Sequence, residues 1–277
     1  MTIVSTNPKD VVLGVTASAT GKILLTGGYL VLEQPNQGLV LSLDARIHSS
    51  VYALNQTSNY ISSLEVPAEA FKIYLITPQI TQDVIELYAQ VQYDEQQSDV
   101  QVLLGGMVSR NKFISTTLQH CLTMAASMLK RDYFQQLTSN GLFIYVYGDT
   151  PFYTSNPLQI NWDVTCDQEQ LHGVPIETIH TFSPDDFKTK TGLGSSAALV
   201  SSLTTAIFSY FGLFALTSET LKALDANAIL PSIGQYDHEV AFRVAYQTAQ
   251  FAHCAAQGKV GSGFDVAASF YGNQVRS

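Results

Sequence analysis

Thr191-Gly192-Leu193-Gly194-Ser195-Ser196-Ala197-Ala198 runs without a break into LVSSLTTAIFSYFG at 199–212. Leu199, Leu203, Ile207 and Phe211 recur at every fourth position, which predicts a helix with one continuous apolar stripe and Gly212 as its stop. The glycines ahead of that helix let the backbone approach a ligand with no Cβ in the way. The unpaired N–H groups of the first turn, reinforced by the positive end of the helix dipole, then form a site for an anion. Two chemistries fit the octet at this point. One is an ordinary glycine turn with a serine N-cap; the other is a phosphate cradle in which Ser195 and Ser196 contact phosphate or ligate Mg²⁺. It is not a Walker A loop, which needs GK followed by Ser or Thr, nor a GxGxxG turn after a strand.

Upstream, short β-rich runs predict strands at Val11–Ala17, Lys22–Leu25, Leu39–Leu43, Arg46–Leu54, Phe71–Ile76 and Leu142–Tyr147. Residues 81–101, rich in Gln, Asp and Glu, predict an exposed helix or a surface insertion. Thr116–Lys130 carries Leu118, Cys121, Leu122, Ala125 and Leu129 near one helical face. Residues 148–187 hold Pro151, Pro157, Pro175 and Pro184 and show no period, so a long loop covering one side of the site is expected there. Downstream, Asp237–Gln257 predicts a helix ending at Gly258, and Phe264–Phe270 predicts a strand. Strands and helices without strict βαβ alternation indicate an α+β domain.

The whole sequence has 277 residues, 46% hydrophobic and 13% charged, enough for a substantial core. Its net charge of −9 disfavours nucleic acid as a partner. A phosphorylated small substrate stays compatible, because a few placed cations outweigh the global sign inside a cleft. Cys121, Cys166 and Cys254 are scattered and odd in number, which predicts reduced thiols in a cytoplasmic protein rather than disulfides or a metal pair. No signal peptide and no membrane span are expected. Oligomeric state leaves no mark in the sequence.

The octet resembles the second motif of the GHMP kinase superfamily, the galactokinase, homoserine kinase, mevalonate kinase and phosphomevalonate kinase group. Two further segments resemble motifs of the same enzymes: SATGKILLTGGYLVL at 18–32, and GKVGSGFDVAA at 258–268. The wording of both is most similar to the eukaryotic phosphomevalonate kinase branch. The resemblance implies an α+β fold of the ribosomal protein S5 domain 2-like type, ATP and Mg²⁺ as cofactors, and phosphorylation of 5-phosphomevalonate to 5-diphosphomevalonate in the mevalonate route to isoprenoids and sterols. It implies that residues 1–277 form the N-terminal GHMP domain, with insertions around 81–101 and 148–187 and the C-terminal domain lacking. On that basis the isolated chain is expected to be poorly soluble or inactive.

Residue by residue, the resemblance makes Lys22 and Asp265 the catalytic pair. Asp265 positions Lys22, and Lys22 offsets repulsion between the transferred phosphate and the acceptor. Lys190, Gly192, Leu193, Gly194, Ser195, Ser196 and Ala197 become the phosphate-binding set, with Ser195 and Ser196 also assigned to Mg²⁺. Lys259 and Ser262 are candidate substrate contacts; Arg46 and Arg243 are weaker ones. His238 and His253 read as structural histidines on an apolar helix. Two departures stand out: Thr20 replaces a proline of the first motif, and the helix before the aspartate loop offers Gln247 and Gln250 but no carboxylate, Glu239 lying too far upstream. Alternatives are mevalonate kinase or another small-molecule kinase, and a non-catalytic remnant that binds nucleotide or a partner.

Overall fold

The computed structural model describes residues 14–28, 36–54, 64–79, 84–94, 99–106, 111–153, 191–213, 238–261 and 263–276. Lys190, Ser262 and all but the first residues of the expected 148–187 loop lie outside the described residues. β1 (Gly14–Thr26) and β2 (Gly38–Ala53) pair antiparallel along nearly their whole length. The four short runs expected here are therefore two long strands. What interrupts the sequence pattern is a register shift: Thr20 pairs with Arg46 but Lys22 with Ser42, so β2 carries more chain than β1 across this step.

β3 (Ala70–Ile76), β4 (Ile85–Asp94), β5 (Asp99–Gly106) and β6 (Leu142–Gly148) complete a sheet of order β1-β2-β6-β3-β4-β5, in which only β3 and β6 run parallel. A short β7 (Gln274–Arg276) pairs with β2 at Gly38–Val40. Here the expected helix at 81–101 is corrected: most of the segment is the β4–β5 hairpin. Ile85, Leu87, Ala89 and Val91 are buried while Glu86, Tyr88 and Gln90 between them are not, which is strand periodicity. The polar residues that suggested an insertion are the solvent-side half of that alternation, which an antiparallel sheet tolerates.

The helices pack on the sheet through one core. α1 (Lys112–Met128) starts at Asn111, whose side chain accepts the Phe113 N–H at 3.0 Å, and buries Ile114, Leu118, Cys121, Leu122 and Ala125. After the short α2 (Arg131–Thr138) and β6, α3 (Ser195–Tyr210) runs under β1 and β2 and is buried on almost every side. That explains how its stripe could be read so easily and why its serines and threonines also lie inside. One of them, Ser202, meets Ser49 of β2 at 2.8 Å. α4 (His238–Gln257) presents Ala241, Ala245, Ala249 and Ala252, small residues that let it lie close to α1 and α3.

The expected strand at Phe264–Phe270 is the second correction. Residues Phe264–Tyr271 form α5. Phe264, Val266, Ala268 and Phe270 mimic a period of two, yet the segment sits between Gly263 and Gly272, and Ala267 and Ala268 favour helix. Ser269 Oγ donates to Thr20 C=O at 2.8 Å, so α5 is fastened to β1 beside its irregular step.

The Leu203 side chain of α3 is fully buried in the core. Leu203→Ala is expected to lower unfolding free energy by about 2–5 kcal/mol, measured as a shift of the urea midpoint at unchanged slope.

Candidate functional site

The octet at 191–198 meets β1 at the irregular step. Lys22 N–H donates to Leu193 C=O at 2.8 Å, which stitches the loop to the strand. Gly21 has to be glycine on grounds of space: a Cβ there would stand 2.7 Å from the Leu193 carbonyl oxygen and 2.8 Å from Phe152 Cε1. On the far side of the loop, Thr191 N–H and Oγ1 donate to Phe152 C=O (3.1 Å) and Pro151 C=O (2.8 Å), in the 3₁₀ turn Thr150–Phe152.

Gly194 is the N-cap of α3, at φ +75°, and has no side chain with which to cap it. The serine N-cap considered above is therefore not present: Ser195 and Ser196 are the first two helical residues, and their hydroxyls are not used as caps. The amides of Ser195, Ser196 and Ala197 precede the first bond of the helix, Ala198 N–H to Gly194 C=O at 3.2 Å, so they are the donors that an anion would meet. The first turn carries no acidic residue to compete for the place. Ala197 itself is fully buried, so its contribution is its backbone.

Lys22 lies across this helix start. A Cβ on Gly194 would meet Lys22 Cγ at 2.9 Å and Cε at 3.1 Å, so the lysine stem rests on the glycine. Its Nζ reaches Asp265 Oδ1 at 2.8 Å; the two side chains are 18% and 38% exposed. Asp265 stands in the first turn of α5, where a carboxylate suits the helix dipole. Sequence positions 22, 194–197 and 265 thus share one small region.

His253 of α4 joins them. Its ring is 4% exposed, its Nε2 lies 3.2 Å from Ser196 Oγ and 3.3 Å from Gln257 Nε2, and Phe113 packs at 5.4 Å between ring centroids. Burial lowers its pKa; Asp265 pulls the other way and Lys22 adds to the lowering, so the imidazole is held neutral. The expectation of a buried histidine in an apolar helix is met, but no local signal indicates that it touches a serine 57 positions away. Nearby, Gln250 packs on Gly263 and its Oε1 is buried with no partner among the described residues. Gln247 is exposed.

The other candidates are not drawn into this cluster. Lys259 is exposed just past α4, with no described side-chain contact to Lys22 or Asp265. Arg243 pairs with Glu239 on the open surface at 3.2 Å, which also keeps Glu239 away from the loop. Arg46 donates to Ser18 Oγ at 3.2 Å, while Asp149 receives the Arg46 N–H (2.7 Å) and meets His48 Nε2 (3.1 Å). That set braces β1, β2 and the end of β6. Among the described residues no group of three or more His, Cys, Asp or Glu side chains could hold a metal ion, and no helix is long and apolar enough to cross a membrane.

No family model matches the chain. It is 31% identical to the peroxisomal phosphomevalonate kinase of Arabidopsis thaliana, in an alignment covering 95% of this chain and 50% of that protein. Phosphomevalonate kinase erg8 of Aspergillus fumigatus is 32% identical over 92% of this chain and 49% of its own length, and ERG8 of Gibberella zeae 30% identical over 94% and 50%. The chain spans about half the length of the curated relatives it matches. Among solved structures, a Streptococcus pneumoniae phosphomevalonate kinase in complex with phosphomevalonate and AMPPNP aligns at TM-score 0.40 and 12% identity, over 92% of this chain and 47% of that one.

The site geometry predicts that Gly194→Ala is strained twice, by its positive φ and by the Lys22 stem. It is expected to destabilise the chain by about 1–2 kcal/mol from the backbone term alone. The backbone part of the loss should shrink in a Gly194→Asn variant, which tolerates the left-handed region better, while the contact with the Lys22 stem remains; chemical denaturation of the two variants measures the difference.

Proposed function

We propose, from a resemblance to phosphomevalonate kinases that runs through nearly the whole chain, that this protein belongs to an enzyme that transfers the γ-phosphoryl group of ATP to 5-phosphomevalonate. The products are ADP and 5-diphosphomevalonate. The single observation that supports this most is the Lys22–Asp265 pair at 2.8 Å, with the lysine stem lying on Gly194 at the start of α3. An unpaired helix N-terminus and a lysine held beside it are two positive features in one place, and a phosphate is the ligand such a place selects.

The roles follow from the chemistry. The acceptor group is itself a phosphate, ionised near neutral pH, so little proton abstraction is needed. Repulsion between two anions is the main obstacle, and charge placed between them lowers the barrier. Lys22 supplies that charge. Asp265 holds the lysine in place and needs no role as a strong base. The amides of Ser195, Ser196 and Ala197, with Gly192, Leu193 and Gly194 shaping the turn, hold the nucleotide phosphates, and the resemblance adds Lys190 to that set. The hydroxyls of Ser195 and Ser196 and the carboxylate of Asp265 are hard oxygen donors of the kind Mg²⁺ takes. When bound, the ion neutralises phosphate charge. Lys259 and Ser262 are assigned to the acceptor side.

The described residues are taken as the N-terminal, nucleotide-holding domain of the GHMP architecture, its S5 domain 2-like α+β layer. Ile23, Leu24, Leu25 and Val275, exposed at 36–72% at one end of the sheet, are placed against the remainder of a longer kinase. A cytoplasmic location accompanies this reading, since Cys121 and Cys254 are free thiols.

In the full-length protein, Lys22→Met is expected to reduce kcat about 100- to 1,000-fold in an ADP-release assay with phosphomevalonate, and Asp265→Asn to follow it with a smaller change in KM than in kcat. Faster turnover with mevalonate than with its phosphate would replace the acceptor named here. Unchanged Mg-ATP affinity in a Ser195→Ala/Ser196→Ala double variant would remove the loop from the phosphate site.

A further inference from the structure

Several hydroxyls on the helices of this protein have a local acceptor. Thr117 Oγ1 donates to Phe113 C=O at 2.6 Å, Thr138 Oγ1 to Phe134 C=O at 2.9 Å, and Ser202 Oγ to Leu199 C=O at 3.1 Å. Ser196 has no such option. As the second residue of α3 it has no carbonyl of its own helix one turn behind it. Its hydroxyl is met from outside, by His253 Nε2 at 3.2 Å.

The same ring nitrogen lies 3.3 Å from the amide nitrogen of Gln257, one turn along α4. We assign the Gln257 amide with its nitrogen toward the ring, which makes Nε2 the acceptor and puts the ring proton on Nδ1. In that tautomer Ser196 donates its hydrogen to Nε2 and shares the lone pair with Gln257. Its hydrogen points to α4, and both oxygen lone pairs face away from the histidine. The ring cannot turn to another orientation freely: it is 4% exposed and packed against Phe113, on the face of α4 that also buries Ala249 and Ala252.

We infer that His253 is a positioning residue: it accepts the Ser196 hydroxyl hydrogen, which leaves the Ser196 Oγ lone pairs free to serve as an oxygen donor to the divalent cation that would accompany the nucleotide and commits the hydrogen that a phosphate oxygen would otherwise take. This rests on the nucleotide-loop function proposed above. It also assigns a purpose to a helix that supplies amides and an imidazole, but no carboxylate, where it faces the loop. A ligating oxygen oriented by a neighbour is a weaker substitute for a second carboxylate, and orientation by an outer residue is commonly worth about 10- to 100-fold in metal affinity.

The test compares affinity for ATP with Mg²⁺ and for ATP in chelator, in the full-length protein, for wild type, Ser196→Ala, His253→Leu, His253→Gln and the Ser196→Ala/His253→Leu double variant. His253→Leu is expected to cut the gain in affinity brought by Mg²⁺ about 10-fold while leaving metal-free ATP binding within about twofold of wild type. His253→Gln, which keeps an acceptor near the same place, should restore most of the gain. In the Ser196→Ala background the histidine change should add nothing further. A merely structural histidine would weaken both forms of ATP alike, or act independently of Ser196, and either result overturns the inference. If Ser196→Ala reduces the Mg²⁺ gain but His253→Leu does not, only this inference fails. If Ser196→Ala leaves the gain intact, the assignment of the loop fails with it. Should leucine at 253 prevent folding, His253→Asn, too short to reach Ser196, carries the same comparison.

Discussion

The backbone of β1 and the backbone of the 191–198 loop touch at one point, and the candidate site depends on that contact. Lys22 N–H meets Leu193 C=O at 2.8 Å, and the two flanking glycines make the approach possible. A Cβ on Gly21 would clash with the loop, and one on Gly194 would clash with the Lys22 side chain. Side chains on the strand at 21 and on the loop at 194 would have held the lysine away from the helix start. The register shift in β1–β2 falls at this contact. Bulged steps of this kind re-aim a side chain and are common beside active sites. Here the lysine is re-aimed along the mouth of α3.

Bringing Lys22 to a helix N-terminus sets two positive features against each other. Asp265 offsets the conflict in the absence of ligand, and it does so from the first turn of another helix, where its charge is itself favoured. Both side chains keep some contact with water, so the pair is a guide for the lysine more than a source of stability. The arrangement is rigid where it must be. α3 is buried almost all round, α5 is tied to β1 through Ser269, and the loop is tied to the 3₁₀ turn through Thr191. Preorganised charge of this kind has little reorganisation left to undergo when an anion arrives.

Much of this was legible in the sequence because the signals were local. The α3 stripe, the Gly212 stop, the α1 face and the β3 and β6 runs each follow from spacing within one segment. The clustering of Lys22, the octet and Asp265 was legible only through resemblance, since the three lie far apart in the chain. Failures had two physical sources. At 85–94 a half-solvated strand hid its period of two under glutamines, and at 264–271 a period of two was shown by a short helix that lies between glycines. In each case the decisive information was what packs on the other side. The same holds for His253: nothing in its neighbourhood on α4 indicates that α3 begins opposite it.

Under the proposed function the electrostatic demand on this site is larger than the described cations meet on their own. A nucleotide and a phosphorylated acceptor would bring several negative charges to a protein whose formal net charge is already −9. Lys22 is half committed to Asp265, Arg243 to Glu239, and Arg46 lies along Ser18. What remains close to the aspartate loop is Lys259, exposed at the end of α4 beside Val260, itself 93% exposed. A lysine that is solvated and without a described ion-pair partner costs little to recruit, whereas one already buried in an ion pair would first have to be released. Under the proposed function, Lys259 is the described cation beside the aspartate loop that a phosphorylated acceptor would recruit at least cost. In the proposed reading, a divalent ion held by the oxygen donors at Ser195, Ser196 and Asp265 would meet the remaining charge.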